Sequence, residues 1–209
     1  MNKPNSGSDR PGARERILDA AFKVVREKGY TATTVDDLCR AAGVTKGAFF
    51  HHFRSKEELG VAAAGHWSAV TAALFASAPY HDKEDPLERV LAYLDFRKDL
   101  LAGTVSEFTC LAGTMVREVH ESSPAIRQAC MACIGDHAAT LEPDIAAAMA
   151  ARGIDTKGAA SLALHTQAVL QGAFILAKAS DDPAPAADSI DHLKRYLELL
   201  LGDTGRERR

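Results

Sequence analysis

Apolar residues recur along most of this chain at intervals of three and four positions, which is the spacing of helices that each bury one face. The first such segment has its apolar face at Ile17, Ala20, Ala21, Val24 and Val25. Lys28 followed by Gly29 predicts where that helix ends, since a basic last turn and a glycine are typical of helix C-termini. No alternating run of β-branched residues interrupts the pattern. The chain is therefore predicted to be all-α.

Three short helices are predicted before residue 54 from the residues that begin and end helices. Thr34, with an acid three positions on, is predicted to cap the second helix, and Gly43 is predicted to end it. Thr45 is in place to cap the third helix. Ser55, with a glutamate three positions on, predicts the start of a long fourth helix. The N-terminal part is thus predicted to be a three-helix head.

Beyond residue 80, proline and glycine divide the chain into segments of helical length. The dividing positions are Asp85-Pro86, Ser123-Pro124, Glu142-Pro143, Gly153 and Asp182-Pro183. These segments predict a bundle-like body of five or six helices. We place a flexible tail at residues 1–12, the head at 13–57, the body at 58–203 and a second flexible tail at 204–209.

The charge of the chain is small overall and uneven along its length. Of the 209 residues, 46% are hydrophobic and 25% are charged, and the net charge is −3. This balance argues against binding nucleic acid or an anionic membrane by bulk charge alone. Residues 1–60 hold 11 Lys and Arg against 8 Asp and Glu, a net charge of +3 that leaves −6 for the rest. A small basic head on an acidic body suggests different partners for the two parts.

The sequence favours a cytoplasmic protein without a membrane partner. Its opening sixteen residues are polar and lack the apolar segment of a secretory signal. Residues 59–81 and 158–177 contain no charges, but they are weakly apolar and have no flanking aromatic belt, so they are predicted to be buried helices. The four cysteines are too few for a disulfide scaffold and fit a reducing compartment.

The most specific pattern is a helix, a sharp turn with glycine and a second helix, over residues 35–53. Gly43 supplies a turn conformation that a Cβ would oppose. Val44, Phe49 and Phe53 are placed to pack inward. The outward set is then Thr45, Lys46, Gly47, Ala48, Phe50, His51 and His52. Small residues near the start of a recognition helix allow it to approach the base pairs of a DNA major groove closely.

Residues 31–59, TATTVDDLCRAAGVTKGAFFHHFRSKEEL, resemble the signature of the tetracycline-repressor (TetR) family of bacterial transcription regulators. The matching positions are Thr33, Thr34, Val35, Ala42, Gly43, Val44, Thr45, Gly47, Phe49, His52, Phe53, Ser55, Lys56 and Leu59. The rest of the chain resembles the family mainly in length and helicity. The resemblance implies an all-α fold with a homeodomain-like head. It also implies a homodimeric repressor that binds a palindromic operator and releases it when a small molecule enters the body.

The resemblance also implies roles for single residues. Thr34 corresponds to a phosphate-contacting hydroxyl, and Lys56 to a backbone-contacting lysine at the start of the fourth helix. The positions that approach base edges fall on Thr45, Lys46, Gly47 and Ala48. Phe50 stands where the family usually has tyrosine, so one phosphate hydrogen bond worth about 0.5–1.5 kcal/mol is expected to be absent. Protonation of His51 or His52 would add positive charge to the interface, although His52 equally fits a role in supporting the helix.

Dimerisation is expected from the last two helices, predicted at about Thr156–Ser180 and residues 188–201. Their apolar residues are Leu162, Val169, Ala173 and Leu176 in the first, and Ile190, Leu193, Leu197, Leu200 and Leu201 in the second. The alternative is that both helices are core of a single protomer. A dimer would place two recognition helices one DNA turn, about 34–36 Å, apart.

The body is expected to hold the effector pocket, for which the sequence offers candidates on apolar helices. These are Trp67, Phe96, Phe108, Cys110, Met115, His137, His165 and Phe174. Each of them is also consistent with ordinary core, because pockets and cores are both mostly apolar.

Cys110, Cys130 and Cys133 suggest a second way to sense an effector, through the reaction of a thiol with an oxidant or an electrophile. Cys130, Cys133 and His137 share one helical face, as in some soft-metal sites, but no fourth ligand is evident, and no metal site is predicted. Free cysteines also serve as small core residues.

Two other classes of function compete with a DNA-binding regulator. The sequence contains no GxSxG, GxxxxGK[ST], HExxH or GxGxxG motif and no Glu-x-x-His pair, so neither catalysis nor a cofactor is predicted. The alternatives are an all-α enzyme that binds a small molecule and a helical adaptor that does not bind DNA.

Overall fold

The computed structural model describes residues 11–202. Residues 1–10 and 203–209 lie outside the described residues, and with them nearly all of the two predicted tails. Between residues 11 and 202 the chain is helical and contains no strand, as predicted. The α-helices are α1 Ala13–Lys28, α2 Val35–Ala42, α3 Lys46–His52, α4 Lys56–Ala76, α5 Pro86–Asp99, α6 Val105–Phe108, α7 Leu111–Val119, α8 Pro124–Ala139, α9 Glu142–Ala151, α10 Ala159–Ser180 and α11 Ala184–Leu201.

The caps predicted for the head are confirmed. The Thr34 hydroxyl accepts the backbone N–H of Asp37, whose carboxylate accepts the N–H of Thr34 in return. Gly43 ends α2 with a φ of 62°, a conformation that suits glycine. The Thr45 hydroxyl accepts the N–H of Ala48 at 3.1 Å and so begins α3. Ser55 caps α4 as predicted, but the glutamate three positions on binds the N–H of Arg54, one residue earlier than a capping box requires.

One buried cluster joins the head to the body. Ile17 and Leu18 of α1 pack with Phe49 of α3 and with Phe53, and all four are at most 2% exposed. The same cluster continues into α4, α7 and α8 through Leu59, Ala63, Leu111, Met115, Ile126 and Cys130. The helix-turn-helix is therefore held by apolar residues of the body as well as by its own.

The body contains eight helices, more than the five or six that were predicted. The additional helices include α6 and α7, which have four and nine residues. Of these, α6 completes only one turn and is shorter than a hydrophobic period can reveal. A second buried cluster joins α5, α9, α10 and α11, with Tyr93, Leu94, Ile145, Leu170, Ile190 and Leu197 among its members. A 3₁₀ turn, Thr156–Gly158, precedes α10, so the predicted start of that helix was early by three residues.

Two helical segments are long and apolar enough to cross a membrane by length and composition, Lys56–Asp82 and Thr156–Ser180. They contain the two uncharged stretches noted in the sequence. In the structure α4 packs against α1, α7 and α8, and α10 packs against α8, α9 and α11. Both helices thus have protein neighbours within the bundle, as core helices do.

Gly60 lies where α4 passes close to α8, and a larger residue there is expected to destabilise the fold. A Cβ at Gly60 would lie 2.8 Å from Cδ1 of Ile126 and 3.0 Å from Cε2 of Tyr30, whereas a Cβ at Gly65 of the same helix would meet nothing within 4 Å. We expect Gly60→Val to lower the free energy of unfolding by about 1–3 kcal/mol through overpacking. Gly65→Ala is expected to raise it by about 0.5–1 kcal/mol. Urea unfolding at one fixed protein concentration measures both, and equal stability of Gly60→Val and the parent would contradict the close packing.

Candidate nucleic-acid interface and internal cavity

The residues predicted to contact DNA lie together on the exposed side of α3. Thr45, Lys46, Gly47, Phe50 and His51 are exposed, while Ala48 and His52 are half-buried. The opposite side of the helix is fixed by Phe49, which is fully buried. The leading turn of α3 therefore presents a hydroxyl, a cation and two very small residues to the outside.

An acidic residue that the sequence did not single out stands beside this surface. The Lys46 ammonium lies 2.8 Å from a carboxylate oxygen of Asp36 in the first turn of α2. This neighbour raises the pKa of Lys46 by hydrogen bonding and by charge. Both side chains are more than half exposed, so solvent screens the pair. A phosphate or a base that approaches Lys46 has to compete with Asp36.

Thr34 and Lys56, the two predicted phosphate contacts, are engaged within the head. The Thr34 hydroxyl donates to the Asp37 carboxylate at 2.7 Å as part of the α2 cap. The Lys56 ammonium donates to the carbonyls of Tyr30 at 2.8 Å, Thr31 at 3.2 Å and Thr33 at 2.8 Å, which uses all three of its hydrogens. In this structure Lys56 ties the loop after α1 to the start of α4, and its predicted contact with a DNA phosphate stays a prediction.

Phe50 and the two histidines form an exposed aromatic group at the end of α3. The Phe50 ring is 53% exposed and meets the buried Phe49 ring edge-on, with ring centres 5.2 Å apart. The rings of His51 and His52 lie 5.0 Å apart. Phe50 is thus on the surface, where tyrosine would place a hydroxyl.

A cavity of about 170 Å³ lies inside the body, between α4, α5, α6, α8 and α10. Five of the eight predicted pocket residues line it, namely Trp67, Phe108, Cys110, His137 and Phe174. Cys133, a candidate sensor thiol, also lines it. The remaining lining residues were not among those eight and are Thr71, Leu74, Phe75, Arg97, Leu100, Leu101, Glu107, Ile134, Gln167 and Gln171. Apolar residues have the same helical spacing on the faces that meet the cavity and on the faces that meet the core. A single sequence therefore does not distinguish cavity residues from core residues.

Three predicted pocket residues do not line this cavity. Phe96 packs edge-on against Phe75 behind the wall, with ring centres 5.5 Å apart. Met115 is fully buried in the cluster that joins head and body. His165 is exposed and lies against the ring of Tyr196 on α11, at 5.8 Å between ring centres. An apolar helix has several faces, and these residues occupy faces other than the one that meets the cavity.

Three polar side chains are hydrogen-bonded in a row beside the cavity. Gln167 donates to the Tyr93 hydroxyl at 3.0 Å, and that hydroxyl lies 2.9 Å from Nε2 of His137. Because Tyr93 is fully buried, its own hydrogen needs an acceptor, and His137 Nε2 provides it. Burial, together with the charge of Arg97, lowers the pKa of His137 to about 4. His137 is therefore neutral at pH 7, with its hydrogen on Nδ1.

The first helix of the head touches the wall of the cavity through Arg26. Its guanidinium lies 4.8 Å from the centre of the Trp67 ring and donates to the backbone carbonyl of Glu107. Lys178 of α10 completes the contact by donating to the Arg26 carbonyl at 3.2 Å. Burial lowers the pKa of both Arg26 and Lys178. Since Trp67 and Glu107 also line the cavity, the head and the cavity share a wall.

The candidate sensor cysteines have different surroundings. Cys130 and Cys133 are buried, which raises the pKa of each thiol to about 12 and keeps it protonated. Cys110 is half-buried at the start of α7, and its sulfur accepts the N–H of Gly113 at 3.4 Å. Nε2 of His137 binds Tyr93, and no group of three potential metal ligands occurs in residues 11–202. Of the three thiols, only Cys110 combines access to solvent with a helix N-terminus.

His137 should make the stability of the protein depend on pH. An unfolded histidine titrates near pH 6.5, so between about pH 4 and 6.5 the unfolded chain binds more protons, and stability rises with pH across this window and is flat above it. We expect the free energy of unfolding, measured relative to His137→Gln, to fall by about 1–2 kcal/mol from pH 7 to pH 4.5. The same substitution at the exposed His120 is the control. A constant difference between the parent and His137→Gln over this range would contradict a buried neutral imidazole.

Two family models match the chain, one over the head and one over the body. Residues 17–63 match the model of bacterial regulatory proteins of the tetR family. Residues 86–191, half of the chain, match the model of the C-terminal domain of LmrA/YxaF-like transcriptional regulators.

Curated relatives and solved structures agree with these models. The chain is 28% identical over 117 residues to the transcriptional regulator AcuR of Cereibacter sphaeroides, which covers 56% of this chain and 53% of AcuR. It is 44% identical over 52 residues to the transcriptional repressor KstR2 of Rhodococcus jostii, 25% of this chain and 26% of KstR2. The chain thus matches about half of AcuR and a quarter of KstR2.

A crystal structure of the regulatory protein TetR from Rhodobacter sphaeroides superposes with a TM-score of 0.77 at 24% identity, covering 88% of this chain and 98% of that one. This likeness concerns the fold. Relatives of this kind regulate transcription and are not enzymes. With both family models matched in chain order, the resemblance in residues 31–59 is confirmed, and the chain belongs to the TetR family of bacterial transcriptional regulators.

Proposed function

We propose that this regulator is a repressor that binds a palindromic operator as a homodimer and is released by a small molecule bound in the internal cavity. The observation that carries the proposal is the exposed leading turn of α3, where Thr45, Lys46, Gly47 and Ala48 protrude from a helix anchored by Phe49. A helix that exposes small residues on one side and is anchored in the core on the other fits a DNA groove. The name of KstR2 as a repressor supports the direction of the effect. The site of action would be the cytoplasm, where the DNA is.

On this proposal the surface of α3 contacts the bases of the operator, and nearby groups set the affinity of the protein for the DNA. Thr45 accepts one N–H in its cap and keeps its own hydroxyl hydrogen for a DNA acceptor. Lys46 contributes a cation once it leaves Asp36. Phe50, His51 and His52 flank the groove, and Thr34 and Lys56 act by holding α2 and the loop before it. Affinity from Lys46 is therefore reduced by the cost of breaking its pair with Asp36.

The last two helices offer a second apolar face for the dimer. Most residues first suggested for this interface are core of one protomer, since Leu162, Ile190, Leu193 and Leu197 are at most 9% exposed. The face that remains outside consists of Leu164, Ile175, Leu176, Tyr196, Leu199 and Leu200, each at least 40% exposed. Leu164, Ile175 and Leu176 lie on α10, and the other three lie on α11. Exposed apolar residues of this kind on two neighbouring helices favour burial against a second copy.

The cavity has two contacts through which an occupant acts on the head. Phe108 lines the cavity, and the residue before it, Glu107, offers its carbonyl to Arg26 of α1. Trp67 lines the cavity as well, and its ring faces the guanidinium of the same arginine. A ligand that shifts Phe108 or Trp67 therefore moves a neighbour of α1, and with it the spacing of the two recognition helices. By linkage, operator DNA must weaken the binding of that ligand by the same factor.

The structure favours a reversible ligand over thiol chemistry for the inducer. Cys130 and Cys133 are protonated and shielded, so they react slowly with electrophiles. Cys110 is the thiol at which an electrophile or oxidant would act, and it lies on the same cavity wall. The cavity would thus be the effector site both for a reversible ligand and for a reagent that modifies Cys110.

Substitutions at Lys46 and Asp36 test the DNA surface. Duplexes that the protein recovers from a random pool serve as the probe, and affinity is measured by gel shift at two salt concentrations. We expect Lys46→Ala to weaken binding several-fold and to reduce the salt dependence by about one phosphate contact per protomer. Asp36→Asn is expected to strengthen binding, because it frees Lys46 and removes a negative charge.

Lys157→Ala is the matched control, since it removes one exposed positive charge from the body, at the turn before α10. Equal affinities of the parent, Lys46→Ala and Asp36→Asn would show that α3 is not the DNA surface.

The dimer face is tested by placing a charge on it. Leu176 of α10 and Met131 of α8 are both 55% exposed in the protomer, but only Leu176 belongs to the proposed face. We expect Leu176→Glu to produce monomers and to abolish tight operator binding, because a buried unpaired carboxylate costs several kcal/mol. Met131→Glu should leave both unchanged. The mass of each variant is measured by sedimentation at micromolar concentration. A dimer of the Leu176→Glu variant would contradict this interface.

A further inference from the structure

The cavity is lined mostly by aromatic and aliphatic side chains, and its volume matches that of a small ring-shaped molecule. Its apolar lining includes Trp67, Phe75, Phe108, Ile134 and Phe174. Its volume of about 170 Å³ is close to that of an engineered protein cavity of about 150 Å³ that binds benzene. The space therefore suits one six-membered ring with a short substituent, and the four aromatic side chains offer it faces and edges to pack against.

Arg97 is the one feature of this wall that an apolar ligand does not explain. Its guanidinium carbon lies 5.2 Å from the centre of the Phe75 ring and 5.5 Å from that of Phe174, so the two rings hold it at the cavity. In residues 11–202 no carboxylate pairs with Arg97 and no oxygen accepts a hydrogen bond from it. The other two cations of the same helix are paired, Arg89 with Asp144 at 2.8 Å and Lys98 with Asp191 at 2.7 Å.

Arg97 is half-buried, and a bound anion would supply the oxygen acceptor that its guanidinium lacks within residues 11–202. Guanidinium presents its hydrogens as a planar fork that matches the two oxygens of a carboxylate. The aromatic faces of Phe75 and Phe174 offset part of the lost hydration and fix the direction of the side chain, but they accept no conventional hydrogen bond. Arg97 is thus positioned for an acceptor that comes from outside the described chain.

The other polar groups of the cavity fit the same ligand. The hydrogen-bonded row from Gln167 through Tyr93 to His137 leaves the imidazole neutral, with Nδ1 as a donor. The one carboxylate of the lining, Glu107, is engaged by the backbone N–H of Thr104 at 2.7 Å and by the Thr104 hydroxyl at 2.8 Å. A hydrogen-bond acceptor with a negative charge therefore finds its donor in the Arg97 guanidinium, and a cation would meet the same charge at close range.

We propose that the effector bound in this cavity is a small aromatic carboxylic acid, with its ring between the aromatic walls and its carboxylate on Arg97. This inference rests on the proposed function, because it names the ligand class of the cavity assigned there to the inducer. The apolar volume sets the size of the ring, and the unpaired guanidinium sets the charge of the substituent.

A series of ligands with one shape and three charges tests the proposal on the full chain. Benzoate, its amide benzamide and the cation benzamidinium are compared by calorimetric titration and by the rise in melting temperature that a ligand of the folded state produces. We expect benzoate to bind at least tenfold more tightly than either analogue. Equal binding of benzamide or benzamidinium, or no binding of benzoate or of phenylacetate at millimolar concentration, would overturn the proposal.

Variants of Arg97 show whether this residue determines the preference for a negatively charged ligand. Arg97→Gln is expected to lose the preference for benzoate over benzamide, and Arg97→Lys to keep it at reduced strength, since a point charge remains. Without ligand, Arg97→Gln should melt near the temperature of the parent, because Arg97 has no hydrogen-bond or ion-pair partner within residues 11–202, so lost binding is distinct from lost folding. Lys157→Gln controls for net charge at an exposed site. An unchanged preference in Arg97→Gln would refute the assignment.

Gel shifts with the same ligands separate this inference from the proposed function. Benzoate that binds through Arg97 and releases the duplex supports both. Benzoate that binds through Arg97 without any effect on DNA affinity supports the site and contradicts its role as inducer. Absence of benzoate binding in a protein that still binds its duplex overturns the ligand class alone.

Discussion

The position of α1 between two partners is the constraint on which the rest of the structure depends. Its apolar face closes the core of the head with Phe49 and Phe53, and its last turn reaches the body through Arg26. A half-buried guanidinium needs partners, and it has the Trp67 ring and the Glu107 carbonyl. Both belong to residues that line the cavity. On the proposed function, the orientation of the head and the occupancy of the cavity are linked through these contacts, because both neighbours of Arg26 border the cavity.

The electrostatics of the cavity give such a link its driving force. A ligand shifts an equilibrium only by the difference in its affinity for two states, so the empty state must lack something that the filled state has. Within residues 11–202 Arg97 has aromatic faces and no oxygen acceptor, and the Tyr93 hydroxyl is hydrogen-bonded to both Gln167 and His137. The hydrogen-bonded row of Gln167, Tyr93 and His137 fixes the polar groups on one side of the same cavity.

Much of the fold could be predicted from the sequence because it depends on local rules. The caps at Thr34 and Thr45 and the turn at Gly43 follow from side-chain hydrogen bonds and backbone freedom at single positions, and the structure has each of them. The cavity was predicted only in part, since helices with the same apolar period bury several faces. Met115 and Phe108 look alike in the sequence, and they differ in that Met115 faces the core and Phe108 faces the cavity. Arg97 carried no signal, because an unpaired cation in a sequence is indistinguishable from a solvated one. The short α6 is invisible for a similar reason, as four residues complete only one helical turn.

Pairing within the head explains how a weakly basic unit would recognise DNA with selectivity. Three lysines beside α2 and α3 are occupied by the chain itself, since Lys28 pairs with Asp37, Lys46 pairs with Asp36 and Lys56 donates to three carbonyls. Charge held in this way gives little attraction to an arbitrary phosphate backbone, which is the main source of non-specific affinity. On the proposed function, the remaining affinity comes from close fit at Gly47 and Ala48 and from the simultaneous contact of two heads. Binding would then depend on the spacing of the two heads, the quantity to which Arg26 connects the cavity.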